Sequence, residues 1–578
     1  MWPTAPVATG TEVAAMMRDG TVLRADIYRP PGAGPWPVLL ARSPYGKRDP
    51  GVLARLDPPR AAARGHLVVI QDCRGRFGSE GEWAPLAHEA DDGYDTVRWA
   101  ARLPGADGRV CTYGPSYLGH TQWAAAAAAP PELLAAVPEF TWSSPDDGLV
   151  SRGGAYELGL MTQWTLTLGR DVLARQHAAD PAESERQLSA LETAIEGLTA
   201  RTYWELPVQA PLRRFNLPTP PPTPTPTPTS GARPPTIIPM LIIGGWYDAF
   251  LQGSLENFGR LRAAGIPAAL IVGPWTHDDQ TGRIGDVDFG AAADAADIDG
   301  GGSLLDRELD WLDGQLARDS RGLIHEDGTG AGDHAIAEAG TGDDAVGEQP
   351  PVFLFVMGVD EWRGLPSWPP ECVEVPWYLH AGGGLSTERP ALDSAPDEFL
   401  HDPRDPVPTC GGAGLLPPEH PAGPWDQRQI EAREDVLVYT GAPLESALEV
   451  IGRVRLHLSA DSTAASTDWV ARLCDVDPDG VSRNITDGIL RTSSQAGESI
   501  VDLWSTAHVF LPGHRIRLQI ASSCFPRWDR NFGVTTSPPD ATDVGPDAAV
   551  PSQGTNVTAR QSVHHDAARP SRLILPVV

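Results

Sequence analysis

Residues 111–130 read CTYGPSYLGHTQWAAAAAAP. An apolar, strand-like run ends at Gly114-Pro115-Ser116, and an alanine-rich helical run begins at once. A serine at a tight turn between a strand and a helix stands with its hydroxyl exposed at the edge of a sheet. The crowding there demands small neighbours. Gly114 and Gly119 are such neighbours, and they frame Ser116 as G-x-S-x-x-G rather than the stricter G-x-S-x-G. Turns of this kind also occur where a serine merely packs or caps, so the meaning of Ser116 rests on its surroundings.

Before this stretch, EVAAMM and VLRADIYR form a hairpin about Arg18-Asp19-Gly20, with Asp-Gly as the turn. WPVLLAR (36–42), HLVVIQD (66–72) and RVCTY (109–113) are short, nearly continuous apolar runs, the mark of strands buried on both faces. Residues 87–102 suit a helix with Val97 and Ala100 or Ala101 turned inward. LLAAVPEF (133–140) reads as a further strand. Strands alternating with helices imply a parallel sheet with crossover helices. With the hairpin counted as two, Ser116 follows the fifth strand.

From about 143 to 212 the pattern reads as helical and free of strands, most clearly in ESERQLSALETAIEGLTARTYWELP. A Pro-Thr tract (218–229) follows. Its prolines lack amide donors, so an extended linker or exposed loop is expected there. The α/β pattern resumes with the strand IIPMLIIGGWYD (237–248), the helix SLENFGRLRAAG (254–265) and the strand AALIVGPWTHDD (268–279). A helix over 303–318 places Leu305, Leu309, Leu312 and Leu316 on one face. The helical segment therefore reads as a cap inserted into one α/β domain. Residues 321–349, rich in Gly, Asp and Ala, read as a flexible acidic loop. From Val352 onward strands and turns dominate, beginning with VFLFVMG and ending with SRLILPVV, which predicts a β-sandwich. The expected organisation is an α/β core in two parts (1–142 and 236–320), a cap (143–235), the acidic loop (321–349) and the sandwich (350–578).

This architecture supplies Ser116 with partners. In an α/β hydrolase the triad follows the chain order serine, acid, histidine. Asp248 ends one predicted strand and His277 follows the next. Active sites of open α/β sheets lie at this carboxyl edge. Singly, Asp248 would pass as a helix cap and His277 as a loop histidine; jointly, in this order, they favour catalysis. A serine hydroxyl is a poor nucleophile at neutral pH, so His277 would take its proton and return one to the leaving group. Asp248 would fix the imidazole tautomer and stabilise its charged form. The backbone amide of Tyr117 is the natural first oxyanion donor. The loop RSPYGKRD offers the Tyr45 hydroxyl as the second.

The formal charge of −31 argues against nucleic acid or anionic membranes as partners bound by general electrostatics. Six cysteines (73, 111, 372, 410, 474 and 524) show no CxxC spacing, so neither a disulfide framework nor a metal site is expected. Reduced, buried thiols are the expectation. No run of ~20 apolar residues occurs. The first residues lack a basic start followed by an apolar run, so no signal peptide is expected and a cytoplasmic location is the default. Serine acyl transfer needs no cofactor, and none is expected. The oligomeric state stays open, a homo-oligomer included.

Several stretches carry a resemblance: MRDGTVLRADIYRP, RSPYGK, VVIQDCRGRFGSEGEW, YGPSYLGHTQW, GGWYDAF, VGPWTH, GVDEWR and VFLPGHRIRLQIASSCFPRWDRN. Together they resemble the cocaine esterase-like hydrolases of the X-Pro dipeptidyl-peptidase family, across nearly the whole chain. The resemblance implies an α/β-hydrolase domain, an inserted helical cap and a C-terminal jelly-roll. It implies Ser116 as nucleophile, Asp248 as acid, His277 as base, and Tyr45 and Tyr117 as oxyanion donors. It further implies an acyl pocket at Trp142, Trp164 and Phe250. The Pro-Thr tract and the acidic loop depart from the family pattern. The substrate implied is a small ester, cleaved through an acyl-enzyme. A short peptide or an amino-acid ester is the alternative, which would require acidic groups such as Asp146, Asp147 or Glu157 to bind a free amine. A non-catalytic binding protein using the sandwich is the remaining reading.

Overall fold

The structure is a computed structural model, and it describes residues 10–145, 147–196, 238–319, 350–391, 393–416, 418–493, 497–534 and 557–578. The Pro-Thr tract and the acidic loop lie outside the described residues.

A ten-stranded sheet organises the α/β part. Its strands are β1 (Thr11–Met16), β2 (Val22–Tyr28), β3 (Trp36–Ser43), β4 (Leu67–Asp72), β5 (Ala106–Pro115), β6 (Leu133–Glu139), β7 (Met240–Tyr247), β8 (Ala268–Thr276), β9 (Val352–Val356) and β10 (Glu361–Leu365). Their order is β1-β2-β4-β3-β5-β6-β7-β8-β9-β10. From β4 through β9 every neighbour is parallel; the hairpin β1–β2, the pair β2–β4 and the edge β9–β10 are antiparallel. The continuous apolar runs account for this, because β4, β6 and β7 are buried at every residue. Helices cover the faces. In Leu304–Asp319 the four leucines expected on one face are all buried. Each contributes on the order of 1.5–3 kcal/mol by leaving water.

Two expectations need correction. VFLFVMG, expected as the first strand of the sandwich, is β9; it lies parallel to β8 and extends the α/β sheet. With β10 it carries that sheet past the expected boundary at 350. Its unbroken apolar run is the signature of a buried parallel strand, not of an alternating sandwich strand. The described residues between 143 and 157 are not helical. They hold a small hairpin, Ser151–Arg152 with Ala155–Tyr156, turning on Gly153-Gly154. Among the described residues the cap helices are Leu158–Gln176 and Pro181–Glu196; the expected helical stretch 197–212 lies outside them.

The C-terminal part is a separate β-rich unit of eleven strands. Its longest strands, Leu448–Ser462 and Gly497–Phe510, pair antiparallel along most of their length. Four cysteines are buried, Cys410 is half-buried and Cys372 is exposed; all six are free thiols. Among the described residues, no helix is long and apolar enough to cross a membrane.

Candidate active site

Ser116 sits between β5 and the helix Tyr117–Ala128 with φ 59° and ψ −124°. A side-chain-bearing residue in this sparsely populated region costs about 1–3 kcal/mol and persists only where its surroundings impose it. The surroundings are explicit. The Ser116 amide donates to the Glu139 carbonyl at 2.8 Å, and the His120 amide donates to the Ser116 carbonyl at 3.1 Å. Gly114 has φ +122°, and a Cβ there would lie 2.9 Å from Leu118 Cδ2. A Cβ on Gly119 would lie 2.8 Å from Thr141 Cβ. The second glycine of the motif is thus set by where the helix crosses the chain leaving β6, which explains its displaced position.

Asp248 and His277 each follow the last residue of a strand, β7 and β8, which are neighbours in the sheet. The Nδ1 of His277 lies 2.8 Å from Oδ1 of the fully buried Asp248. Burial opposes charging of the imidazole, but the Asp248 hydrogen bond and charge, with Asp278, outweigh it and raise the His277 pKa. Phe250 meets the His277 ring edge-on at 5.1 Å, and Phe140 at 6.4 Å. Ser116 and His277 share this edge of the sheet; no hydrogen bond joins them among the described residues.

Tyr45 lies beside Ser116, and its hydroxyl accepts a hydrogen bond from the Trp164 indole at 3.2 Å. Shielding from water pushes the Tyr45 phenol up, while the contacts with Trp164 and Ser116 work the other way. The hydroxyl therefore stays protonated and can donate. Trp164, expected in an acyl pocket, thus also orients Tyr45. No local signal announces that contact, because the two residues are 119 apart in sequence. The Tyr117 side chain is anchored as well. Its hydroxyl donates to Glu89 at 2.9 Å and accepts from the Leu86 amide at 2.8 Å.

The predicted aromatics form one ring series. Tyr117 stacks on Trp164 at 6.1 Å and meets Trp142 at 6.3 Å; Trp142 meets Phe250 at 5.1 Å. A cleft of about 770 Å³ opens beside Ser116, lined by Tyr45, Val52, Leu56, Leu118 and Leu168 among others. Trp142, Trp164 and Phe250, expected in the acyl pocket, and Asp248 and His277 are not among the described residues that line it.

Of the described acidic groups expected to bind a substrate amine, only Glu157 is shown with a side-chain partner. Asp147 is exposed, and Asp146 lies outside the described residues. Glu157 is buried and accepts from the Trp528 indole at 2.8 Å. In the cleft wall, Asp49 caps the helix Pro50–Leu56, Asp72 binds Lys47 and Asp171 accepts from the Phe77 amide. Among the described residues no cluster of three His, Cys, Asp or Glu side chains could hold a metal ion.

The family model of the X-Pro dipeptidyl-peptidase (S15 family) matches residues 19–279. That of the X-Pro dipeptidyl-peptidase C-terminal non-catalytic domain matches residues 344–574. The chain is 34% identical over 621 residues to a cocaine esterase of Rhodococcus sp. (strain MB1 Bresler), covering 99% of both proteins. Among solved structures, an aminopeptidase from a marine sediment Thaumarchaeota archaeon aligns with TM-score 0.71 at 23% identity, covering 100% of this chain and 98% of that one. An α-amino acid ester hydrolase aligns with TM-score 0.69 at 24% identity, with the same coverage. Fold and relatives together define an α/β-hydrolase enzyme, a serine hydrolase of the esterase type. The chain belongs to the X-Pro dipeptidyl-peptidase family.

Proposed function

We propose that this protein hydrolyses small esters of aromatic acids through an acyl-enzyme on Ser116. The observation that carries the reading is the strained Ser116 at the sheet edge that also bears the hydrogen-bonded pair His277–Asp248. His277, its Nδ1 held by Asp248, accepts the Ser116 proton through Nε2 as the hydroxyl attacks the ester carbonyl. The resulting oxyanion takes hydrogen bonds from the Tyr117 amide and the Tyr45 hydroxyl. Collapse expels the alcohol, which receives the proton from His277, and water then releases the acid by the same route. Catalytic hydrogen bonds are often long in substrate-free enzymes and tighten on binding, so the Ser116–His277 contact is expected to close with substrate present.

An aromatic acyl group is the reading supported by Trp142, Trp164 and Phe250, whose rings cluster against Tyr117, the residue after Ser116, and against His277. Glu157, Asp72 and Asp171 already hold partners, so a substrate amine would have to displace one of them, which supports neutral esters at these groups. The test compares wild type and Ser116→Ala on p-nitrophenyl acetate, p-nitrophenyl benzoate, an Ala-Pro anilide and an amino-acid ester. Expected are benzoate hydrolysis that vanishes in the variant and fluorophosphonate labelling confined to Ser116. Preference for the anilide would overturn the ester reading, and an unlabelled Ser116 would overturn the mechanism.

A further inference from the structure

Arg76 belongs to the loop after β4 and has no part in the serine chemistry above. We propose that Arg76 is a positioning residue that ties the Tyr45 loop to the cap helix and thereby holds the Tyr45 hydroxyl at Ser116. The proposal rests on the serine esterase reading.

The geometry is a bridge. Arg76 Nε donates to the Pro44 carbonyl at 2.7 Å, the residue immediately before Tyr45. Its Nη1 donates to the carbonyl of Leu168 in the cap helix Leu158–Gln176 at 3.0 Å. The same Nη1 lies 3.6 Å from Asp171, one turn further along that helix. The guanidinium also faces the Trp83 ring at 5.2 Å and the Phe77 ring at 5.1 Å. Phe77 is itself strained, with φ 43°, and its amide donates to Asp171 at 3.1 Å. A second arginine supports the link from the cap side: Arg175 donates to the Gly75 carbonyl at 3.0 Å.

The Arg76 side chain is only 2% exposed, and its nearest carboxylate is not in close contact. Burying a guanidinium without a tight ion pair is expensive, and an apolar side chain in the same space would be more economical for stability alone. What the guanidinium adds is two rigid, charged donors at fixed spacing, which can hold two carbonyls from two separate segments at once. One carbonyl sets the backbone entering Tyr45 and the other belongs to the helix that carries Trp164. Trp164 in turn donates to the Tyr45 hydroxyl. Tyr45 is therefore gripped at both ends by contacts that lead to the cap, and the charge of Arg76 reaches its phenol.

A double-mutant cycle tests this. Arg76→Met, Tyr45→Phe and the double variant are assayed on p-nitrophenyl benzoate, with rates normalised to the fluorophosphonate-labelled fraction of Ser116. Inhibition by phenylboronic acid, whose serine adduct imitates the tetrahedral intermediate, is measured alongside. Arg76→Met is expected to lower kcat about 10- to 100-fold with little change in KM, and to weaken the boronate by a similar factor. In the Tyr45→Phe background the same change should cost less than about threefold, since the effect passes through Tyr45. Arg76→Lys, which keeps the charge but replaces the two donor nitrogens at fixed spacing by one ammonium on a flexible stem, should remain as impaired as Arg76→Met and completes the cycle if the methionine variant does not fold. Multiplying effects in the double variant, or restoration of kcat by lysine, would overturn the clamp. A wild-type enzyme with Ser116 unlabelled would instead remove the serine reading on which it rests.

Discussion

The Glu157 carboxylate accepts a hydrogen bond from the Trp528 indole at 2.8 Å, and Glu157 is the residue that leads into the long cap helix. The β-rich unit thus holds the start of the element that carries Trp164 and Leu168. The hold is reinforced nearby. Arg152 packs over the Trp504 ring at 3.4 Å, and the Gly159 amide of the cap helix donates to the Arg527 carbonyl at 3.3 Å. Burial raises the Glu157 pKa, against the pull of Arg527, Arg152 and the Trp528 hydrogen bond.

Trp528→Phe keeps the ring and removes the donor to a buried carboxylate. It should cost about 1–3 kcal/mol of stability, read by chemical denaturation. Because it frees the cap helix, KM should rise more for p-nitrophenyl benzoate than for the acetate. Equal changes for both esters would dissociate this contact from the proposed acyl pocket.

Gly119→Ala places a methyl group against Thr141, where a Cβ has 2.8 Å of room. Overpacking of this kind costs about 1–3 kcal/mol. The displacement falls on the turn that strains Ser116, so fluorophosphonate labelling of the folded protein should slow at least roughly tenfold, about 1.4 kcal/mol in the barrier. Labelling at the wild-type rate would show that the turn tolerates the shift.

The pH profile follows from His277. Its pKa is raised above the ordinary 6.5 by Asp248 and Asp278 against the effect of burial. With His277 as the proposed base, working as neutral imidazole, the acid limb of kcat/KM should therefore lie above pH 6.5. Asp248→Asn should move that limb downward and reduce kcat by on the order of 10³- to 10⁴-fold. Stability carries the matching sign. A raised folded pKa contributes fully below the unfolded value and is lost as pH rises through the folded value. The stability gap between wild type and Asp248→Asn should thus narrow from pH 6 toward alkaline pH. Each tenfold gain in proton affinity on folding contributes roughly 1.4 kcal/mol to that gap, and melting temperatures measured across the range read it.

Phe250 and Trp142 should separate in their effects. Phe250 touches the His277 ring, so Phe250→Ala should slow acetyl and benzoyl esters alike. Trp142 stacks on His120 at 5.3 Å and does not touch His277 through a ring contact. Trp142→Ala should lower kcat/KM for the benzoate by roughly 10- to 200-fold relative to the acetate. Parallel losses in both variants would place Trp142 in general packing.

Much of the α/β part is legible in the sequence because its strands are buried on both faces and so read as continuous apolar runs. Val68-Val69-Ile70 and Ile242-Ile243 need no periodicity to be recognised. The same logic, applied strictly, moves Val352–Val356 into this sheet. Strands Ser482–Ser493 and Gly497–Phe510 escape a sequence reading because charged and apolar residues mix along them. The residues proposed for catalysis are visible because chain order and strand ends carry them. The contacts that position them are not, since Arg76 with Leu168 and Trp164 with Tyr45 join segments roughly a hundred residues apart, beyond the reach of any local pattern.

Met357, the residue after β9, donates its amide to Ala507 at 3.0 Å and accepts from the Val509 amide at 2.8 Å. The backbone ladder of the α/β sheet therefore runs directly into the β-rich unit. A gene fragment cut at residue 344, where the C-terminal family match begins, would leave β8 as a bare edge, with the amides and carbonyls that face β9 unpaired. Such an edge is a template for intermolecular pairing. For protein engineering, the transplantable module in this lineage is consequently the pair of units, and a hydrolase part expressed by itself should accumulate as aggregate rather than as a minimal enzyme.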